Sequence, residues 1–448
     1  MAAPRVAIVG GGLAGSLAAL VAKSRGLRPT ILDAGKRQAG GRVAGGRHAD
    51  SGLQFLLGTD PRFSSILGML SREDLVAPWR GRFGVLGTRG GGFLPAAILA
   101  STPIGSMMRE DAKSAGGDEG SVDFCGLLSR DADAQQLYVG TPRNSSIIPG
   151  LIAAADIEIR LGAKVEGLHA QEDGGWRVEL ADGGPSARAE EELPRFDALV
   201  LATHDAALAA SAVRSVAAAA KTPAEAAARL VELADLLQAQ RDQRTAPVFS
   251  WSGYFPRGFS DGVPFDAATV PGSPILSFVA RDASKPGRPA LATTASGSDG
   301  GVQGELWTAV STPDFAAALL AGAQGGGSGD SERGGGGAAA MAAEAMTGEV
   351  RRLLAPYFGG EAESVPPPLA AAAKRWGAGF ATGTLGLSEE CVSLEPWRLA
   401  ICGDFIAKDR GSPAEAAALS GMSAAERVAS WFAVADEEEP QPSGGARA

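Results

Sequence analysis

The stretch Gly10-Gly11-Gly12-Leu13-Ala14-Gly15 decides the fold of this 448-residue chain, because it forms a GxGxxG turn. Arg5–Val9 before the turn is predicted to be a strand, the residues to about Arg25 a helix, and Pro29–Leu32 a second strand. In such a βαβ unit the glycines allow a tight turn, the approach of a pyrophosphate and close helix packing. The residues of the turn predicted to bind a dinucleotide are Gly10, Gly12, Leu13, Ala14 and Gly15.

An acidic residue follows the second predicted strand at the position where dinucleotide sites need one. The carboxylate of Asp33 is placed to accept hydrogen bonds from a ribose diol and to disfavour a 2′-phosphate. Free N–H groups at the start of the predicted helix favour the phosphates. Strand, turn, helix and acid together predict a dinucleotide site, and NAD and FAD both remain open at this point.

Two further stretches favour FAD. In Gly40-Gly41-Arg42, flexible glycines allow the backbone to follow a bound cofactor while the guanidinium meets phosphate. Arg398–Asp404 is predicted to be a buried strand, and the carboxylate at its end is placed to accept a hydrogen bond from a ribityl hydroxyl. Ser412-Pro413-Ala414-Glu415 is a helix-capping box, and the positive end of its helix would stabilise a reduced flavin. Each stretch alone is also compatible with an ordinary turn or a capped helix.

Composition excludes several other classes of protein. With 41 basic and 51 acidic side chains the net charge is −10, which argues against a nucleic-acid partner. Three cysteines are too few for a disulfide framework or a thiolate metal site, three histidines argue against a His-rich metal site, and no metal is predicted. No apolar run approaches the ~20 residues of a membrane span. A cytoplasmic location is expected, with a plastid as the alternative.

The motifs in this order resemble the FAD-dependent amine oxidase and glutathione-reductase-like flavoprotein superfamily. Within it, Leu276–Arg288 (LSFVARDASKPGR), Glu305–Thr308 (ELWT) and Lys374–Gly377 (KRWG) resemble the renalase-like oxidoreductases, the plant and algal type most. Family members often have histidine where this chain has Lys374, and again after the Trp-Thr segment, where Val310 and Ser311 stand. These departures bear on the choice of substrate more than on flavin binding.

The resemblance implies an α/β fold, with a Rossmann-type FAD-binding domain and an inserted α+β substrate domain, as in amine oxidases. The FAD-binding domain is discontinuous, because the substrate domain is inserted between its segments. The predicted segments are 1–70, 141–205 and 390–435 for the FAD-binding domain, 71–140 and 206–389 for the substrate domain, and 322–337 and 436–448 for low-complexity, disordered chain.

The resemblance also assigns residues to the site. Cys402 is expected to be a small buried apolar residue rather than a flavin attachment point, although covalent attachment stays open. His204 is interpreted as a surface or interface histidine. No catalytic residue is assigned.

The FAD contacts that the resemblance implies are Gly10, Gly12, Gly15, Asp33, Gly41, Arg42, Gln54, Val165, Gly403 and Asp404. The substrate-side residues that it implies are Gln54, Lys374 and Trp376.

The expected activity is hydride transfer from a small organic donor to flavin N5, followed by reoxidation with oxygen to give hydrogen peroxide. The renalase-like resemblance suggests an isomeric dihydro-NAD(P) as the donor. The alternatives are an amine oxidase, a protoporphyrinogen- or carotenoid-type oxidoreductase, or a non-catalytic binding protein of the GDP-dissociation-inhibitor type. The expected partner is thus a small-molecule substrate; its identity, the cellular electron acceptor and the oligomeric state stay open.

Overall fold

The structure is a computed structural model of the chain. It describes residues 2–45, 49–87, 92–101, 124–128, 136–171, 174–181, 193–219, 222–243, 245–288, 291–293, 302–324, 334–407 and 411–433. The predicted disordered tail at 436–448 lies outside these ranges.

The described residues form nine α-helices and nineteen strands, interspersed along the chain. The helices are α1 (Leu13–Ser24), α2 (Pro61–Arg72), α3 (Ala96–Ser101), α4 (Ile147–Ala154), α5 (Ala206–Ala217), α6 (Ala224–Gln243), α7 (Pro313–Gln324), α8 (Gly334–Leu354) and α9 (Pro413–Ser430). The strands are β1 (Arg5–Val9), β2 (Arg28–Asp33), β3 (Leu56–Leu57), β4 (Val76–Pro78), β5 (Phe83–Leu86), β6 (Phe93–Pro95), β7 (Leu137–Gly140), β8 (Glu158–Leu161), β9 (Val165–Ala170), β10 (Trp176–Leu180), β11 (Ala198–Leu201), β12 (Thr245–Pro256), β13 (Ala267–Thr269), β14 (Leu276–Arg281), β15 (Leu291–Thr293), β16 (Val302–Ser311), β17 (Ala370–Ala381), β18 (Val392–Leu394) and β19 (Leu399–Ile401).

A mostly parallel sheet carries the glycine turn. In the described part of the chain it has six strands in the order β18-β19-β11-β1-β2-β8. β1 pairs in parallel with β2 and β11, whereas β18 runs antiparallel to β19. The predicted βαβ unit is confirmed, with β1 at the predicted Arg5–Val9. Because β1, β11 and β19 are parallel, their carboxyl ends meet at one edge of the sheet.

Helices cover both faces of this sheet. On one face, apolar residues of α1, α2, α4 and α9 form a single buried cluster with the strands. Helix α9 approaches α1 so closely that a Cβ on Gly421 would lie 2.1 Å from the carbonyl oxygen of Ala14. On the other face pack the β9–β10 hairpin and helices α5 and α6. The C-terminal helix therefore lies directly beside the N-terminal βαβ unit.

A second sheet lies beside the half of the molecule that contains the parallel sheet. Within the described ranges its strands follow the order β17-β12-β16-β14-β13-β5-β6, with β15 paired to β16. Helices α7 and α8 cover one face. The other face meets an aromatic cluster in which the Phe124 ring lies 4.5 Å from that of Phe278 and 6.3 Å from that of Phe55. The strands of this sheet all lie within 71–140 and 206–389, and those of the parallel sheet within the three segments predicted for FAD binding.

Two features differ from the sequence expectations. Helices α5 and α6 lie in the segment predicted for the substrate domain but pack on the parallel sheet, so the domain boundaries stay predictions. The prediction of disorder over 322–337 is wrong at both ends, because α7 continues to Gln324 and α8 begins at Gly334. Residues 325–333 lie outside the described ranges. Among the described residues, no helix is long and apolar enough to cross a bilayer.

Candidate functional site

The glycine turn combines two packing glycines with one that faces open space. Gly10 has a φ of +104°, and a Cβ there would lie 2.7 Å from the carbonyl oxygen of Ala202. A Cβ on Gly15 would lie 1.9 Å from the carbonyl oxygen of Gly10, so only glycine lets α1 pack here. A Cβ on Gly12 would meet no atom within 4 Å. Gly12 is also the N-cap of α1, and no side chain of the described residues caps that helix. Its first N–H groups are therefore available to an anion.

The carboxylate of Asp33 holds this turn in place. Its Oδ2 accepts a hydrogen bond of 2.7 Å from Gly11 N, and its Oδ1 accepts one of 2.8 Å from Gly35 N. Since a carboxylate offers about four acceptor positions, each oxygen keeps capacity for a ribose hydroxyl. The backbone oxygen of Asp33 accepts a hydrogen bond from Ala163 N at 2.9 Å. This bond brings Val165, the buried first residue of β9, to the side of the predicted ribose acceptor.

An ion pair joins the stretch Gly40-Gly41-Arg42 to the end of the Arg398–Asp404 stretch. A Cβ on Gly41 would lie 3.5 Å from Gly12 Cα, so the stretch runs against the glycine turn. Arg42 Nη1 donates to Asp404 Oδ2 at 2.8 Å, and Nη2 donates to Oδ1 at 2.6 Å. Asp404 is only 2% exposed, and Gly403 N is held by Ser420 Oγ on α9 at 2.9 Å. Burial lowers the pKa of Arg42, but the adjacent Asp404 carboxylate outweighs it and the pKa lies above the ordinary value.

This ion pair changes how the two residues were interpreted. The sequence assigned Arg42 to a phosphate and Asp404 to a ribityl hydroxyl, whereas in the structure the two side chains bind each other. A bidentate contact of this kind fixes the direction of both groups. It places the Gly41-Arg42 stretch and the end of the Asp404 strand on the same edge of the sheet as the Gly12 turn.

His204, interpreted from the sequence as a surface or interface histidine, is exposed at the edge of the site. A small cavity beside the ion pair is lined by His204, Gln240, Thr245 and Phe380, together with Arg42 and Asp404. Burial, and then the Arg42 cation, lower the pKa of His204, which favours the neutral imidazole. His204 follows β11, whose carboxyl end lies at the same edge as those of β1 and β19.

Gln54 is a bridge between the two halves of the molecule. Its side chain is 2% exposed, and its Nε2 donates to Asp50 O at 2.5 Å and to Gly52 O at 3.1 Å. Its Oε1 accepts a hydrogen bond of 3.0 Å from Thr308 Oγ1 in the second sheet. Both amide protons are thus used within the protein, and the residue acts on the site by fixing the segment 50–54.

Lys374 and Trp376 lie on β17, which contacts that segment through Trp376. Trp376 Nε1 donates to Ser51 O at 2.6 Å and to Ser250 Oγ at 3.1 Å. Lys374 Nζ lies 3.9 Å from the centre of the Trp376 ring, a cation–π contact. Partial burial lowers the pKa of Lys374. The same strand, β17, passes Arg42, whose Nη1 lies 3.5 Å from Gly379 O. The structure therefore brings the three predicted substrate-side residues to the segment 50–54, near the ion pair.

The start of α9 differs from its predicted use. Ser412 Oγ accepts a hydrogen bond from Glu415 N at 3.3 Å, as the capping box predicts. The buried Glu415 carboxylate, however, accepts hydrogen bonds from Thr59 N at 2.5 Å and Asp60 N at 2.6 Å. This negative charge in the first turn offsets the positive end of the helix. The sequence predicts that this positive end stabilises a reduced flavin.

Cys402 behaves as expected from the sequence. It is fully buried in the apolar cluster between α9 and the parallel sheet. Burial raises the pKa of its thiol, so the reactive thiolate is disfavoured.

Comparison with known proteins agrees with this architecture. An NAD(P)-binding Rossmann-like domain family matches residues 8–68. The chain carries a Rossmann-like dinucleotide-binding domain. The chain covers nearly the whole of several solved structures, at identities that show the fold alone. They include an oxidoreductase from Methanosarcina mazei (15% identity, TM-score 0.58, 94% of this chain and 100% of that one). Two others are wild-type putrescine oxidase bound to putrescine (14%, TM-score 0.54, 95% and 99%) and a putrescine oxidase mutant from a redesign of cofactor binding (13%, TM-score 0.56, 95% and 99%). No curated protein matches this chain in sequence.

Proposed function

We propose that this protein is an FAD-dependent oxidoreductase that takes a hydride from a small organic donor. The observation that carries the proposal is the meeting of three distant stretches at one edge of the parallel sheet. A Cβ on Gly41 would lie 3.5 Å from Gly12 Cα, and Arg42 Nη2 lies 2.6 Å from Asp404 Oδ1. This edge, with the uncapped start of α1 at its centre, is where a Rossmann-type fold binds a dinucleotide.

The residues present fit such a cofactor. The open space above Gly12 and the uncapped start of α1 suit a pyrophosphate, and Asp33 suits a ribose. Arg42 is paired with Asp404 but 33% exposed, so it keeps guanidinium N–H groups for the flavin half, while the buried Asp404 carboxylate holds Arg42 in place. When bound, FAD supplies hydride acceptance and, through oxygen, hydrogen peroxide formation. The chain itself binds the cofactor, orients the donor and excludes water by means of the second sheet.

The side chains near the segment 50–54 favour an anionic donor over an amine. Lys374 places a cation on the Trp376 ring, and a protonated amine at this position would meet like-charge repulsion. An isomeric dihydro-NAD(P), as the renalase-like resemblance implies, carries phosphates that Lys374 attracts. Such a donor needs no protein base, in agreement with a site to which no catalytic acid or base is assigned. The fold similarity to putrescine oxidase keeps an amine as the second candidate.

Anaerobic mixing of the FAD-loaded protein with candidate donors tests the proposal. Isomeric dihydronicotinamides are expected to bleach the flavin absorbance stoichiometrically, and putrescine and protoporphyrinogen are not. Lys374→Met is expected to raise the donor concentration for half-maximal bleaching about tenfold, as loss of one favourable charge contact implies. The control Lys23→Met, on the far end of α1, should change nothing.

Other outcomes would replace the proposal. Bleaching by an amine or a tetrapyrrole alone would assign the protein to the corresponding oxidase class. FAD uptake without bleaching by any donor would favour the binding-protein alternative.

A further inference from the structure

The turn that follows β14 contributes Asp282, Lys285 and Arg288 to a buried cluster of charges. The cluster joins the loop before β3, the start of α4 and the turn after β14, so it lies between the two halves of the molecule. Its side chains are all 11% exposed or less. We call it the interdomain charge cluster, and its members are Asp50, Arg143, Asp282, Lys285 and Arg288.

Each member of the cluster contacts a group of opposite charge. Lys285 Nζ lies 3.2 Å from Asp50 Oδ2 and 3.0 Å from Asp282 Oδ1. Arg288 pairs with Asp50 through Nη2 and lies 3.4 Å from Asp282 through Nε. Arg143 Nη1 lies 3.7 Å from Asp282 Oδ2. Three cations therefore share two carboxylates in a water-poor interface.

Such a cluster fixes the position of the two halves relative to each other more than it raises the free energy of unfolding. Buried ion pairs gain little over well-packed apolar residues, because desolvation consumes most of the Coulomb attraction. Removing one of the two carboxylates is nevertheless costly, since three buried cations then share a single negative charge. The observed arrangement of the two halves brings each of the five groups within 3.7 Å of an opposite charge.

The cluster is coupled directly to the segment 50–54. Asp50 Oδ1 accepts a hydrogen bond of 3.1 Å from Asn144 N, and Asn144 Nδ2 donates to Leu53 O at 2.6 Å. The backbone oxygen of Asp50 holds Gln54, and that of the next residue, Ser51, holds Trp376. Fixing Asp50 therefore fixes both ends of the segment that orients Gln54 and Trp376.

We propose that Lys285 and Arg288 are positioning residues that set the substrate side of the site by holding Asp50. The two cations lie in the turn after β14 of the second sheet, and the segment that they anchor belongs to the half that carries the glycine turn. The inference rests on the proposed function only for the statement that Gln54 and Trp376 face the substrate. The placement of the segment 50–54 does not depend on that function.

Hydrogen exchange measured by mass spectrometry on the full-length protein tests this role. Asp50→Asn leaves three cations against one carboxylate, whereas Lys285→Met leaves two against two. Asp50→Asn is therefore expected to accelerate exchange in peptides covering 50–54 and 370–381 at least tenfold, and Lys285→Met by less. Peptides from β1 and β11 should keep the wild-type rates. Uniform acceleration over the whole chain, or unchanged rates at 50–54, would overturn the proposal.

A second ion pair supplies the matched control. Arg352 pairs with the buried Glu349 at 2.7 Å in the second sheet's helical layer, away from the segment 50–54. Arg352→Met should leave exchange at 50–54 unchanged, and acceleration there would overturn the specific link to Asp50. In the FAD-loaded protein, Asp50→Asn should keep FAD affinity within twofold and raise the half-saturating donor concentration. If the wild-type flavin is reduced by no donor, the proposed function fails while the exchange result still decides the positioning role.

Discussion

Gly12→Ala is expected to leave the free energy of unfolding of the apoprotein near the wild-type value and to weaken FAD binding about tenfold or more. The φ of −78° and ψ of −171° at Gly12 suit alanine, and a Cβ there meets no protein atom within 4 Å. The added methyl group would instead occupy the space assigned to the pyrophosphate. Chemical denaturation and FAD titration of the same preparation measure the two effects.

Two other glycines provide controls for this variant. Gly15→Ala should destabilise the fold itself, because its Cβ would lie 1.9 Å from the carbonyl oxygen of Gly10. Gly348→Ala, in α8 and also facing open space, should gain up to about 1 kcal/mol and leave FAD binding unchanged. Normal FAD affinity in Gly12→Ala would show that the cofactor does not approach this turn.

Arg42→Met is expected to lower the free energy of unfolding by about 3 kcal/mol and to reduce FAD binding severely. It deprives the Asp404 carboxylate, which is 2% exposed, of its bidentate partner. The lower end of the usual cost applies, because the Arg42 side chain is 33% exposed and water screens part of the interaction. Denaturant unfolding of the purified apoprotein measures the stability term.

The double variant Arg42→Met with Asp404→Asn separates the ion pair from the cofactor contacts. It should recover most of the lost stability, because no charge is then left buried, but it should not recover FAD binding. Additive losses of stability in the double variant would contradict a direct pairing of these two residues.

The parts of the fold that depend on local signals were predictable from the sequence. β1, α1 and β2 follow from a glycine turn between an apolar strand and a helical pattern, all within about thirty residues. The capping role of Ser412 is equally local, and it is confirmed. The partner of the neighbouring Glu415 was not predictable, because it lies 356 residues away at Thr59. The capping-box pattern indicates only a contact within the helix.

The sequence predicts which residues belong to the site but not which of them bind each other. Arg42 and Asp404 lie 362 residues apart, so nothing local tells that they bind each other. Gln54 was assigned to the cofactor and the substrate, yet its buried amide joins Asp50, Gly52 and Thr308. A resemblance transfers the position of a residue, whereas the direction of its side chain depends on packing with distant strands.

Titration of the refolded apoprotein with FAD, and separately with NAD(P), tests the central claim most directly, since the family match itself is to an NAD(P)-binding domain. Calorimetry and the visible absorbance of the isolated complex should report one tightly held FAD per chain, with NAD(P) unable to displace it from the Gly12 turn. A colourless protein that takes up no FAD, or one whose glycine turn binds NAD(P) in its place, would contradict the account.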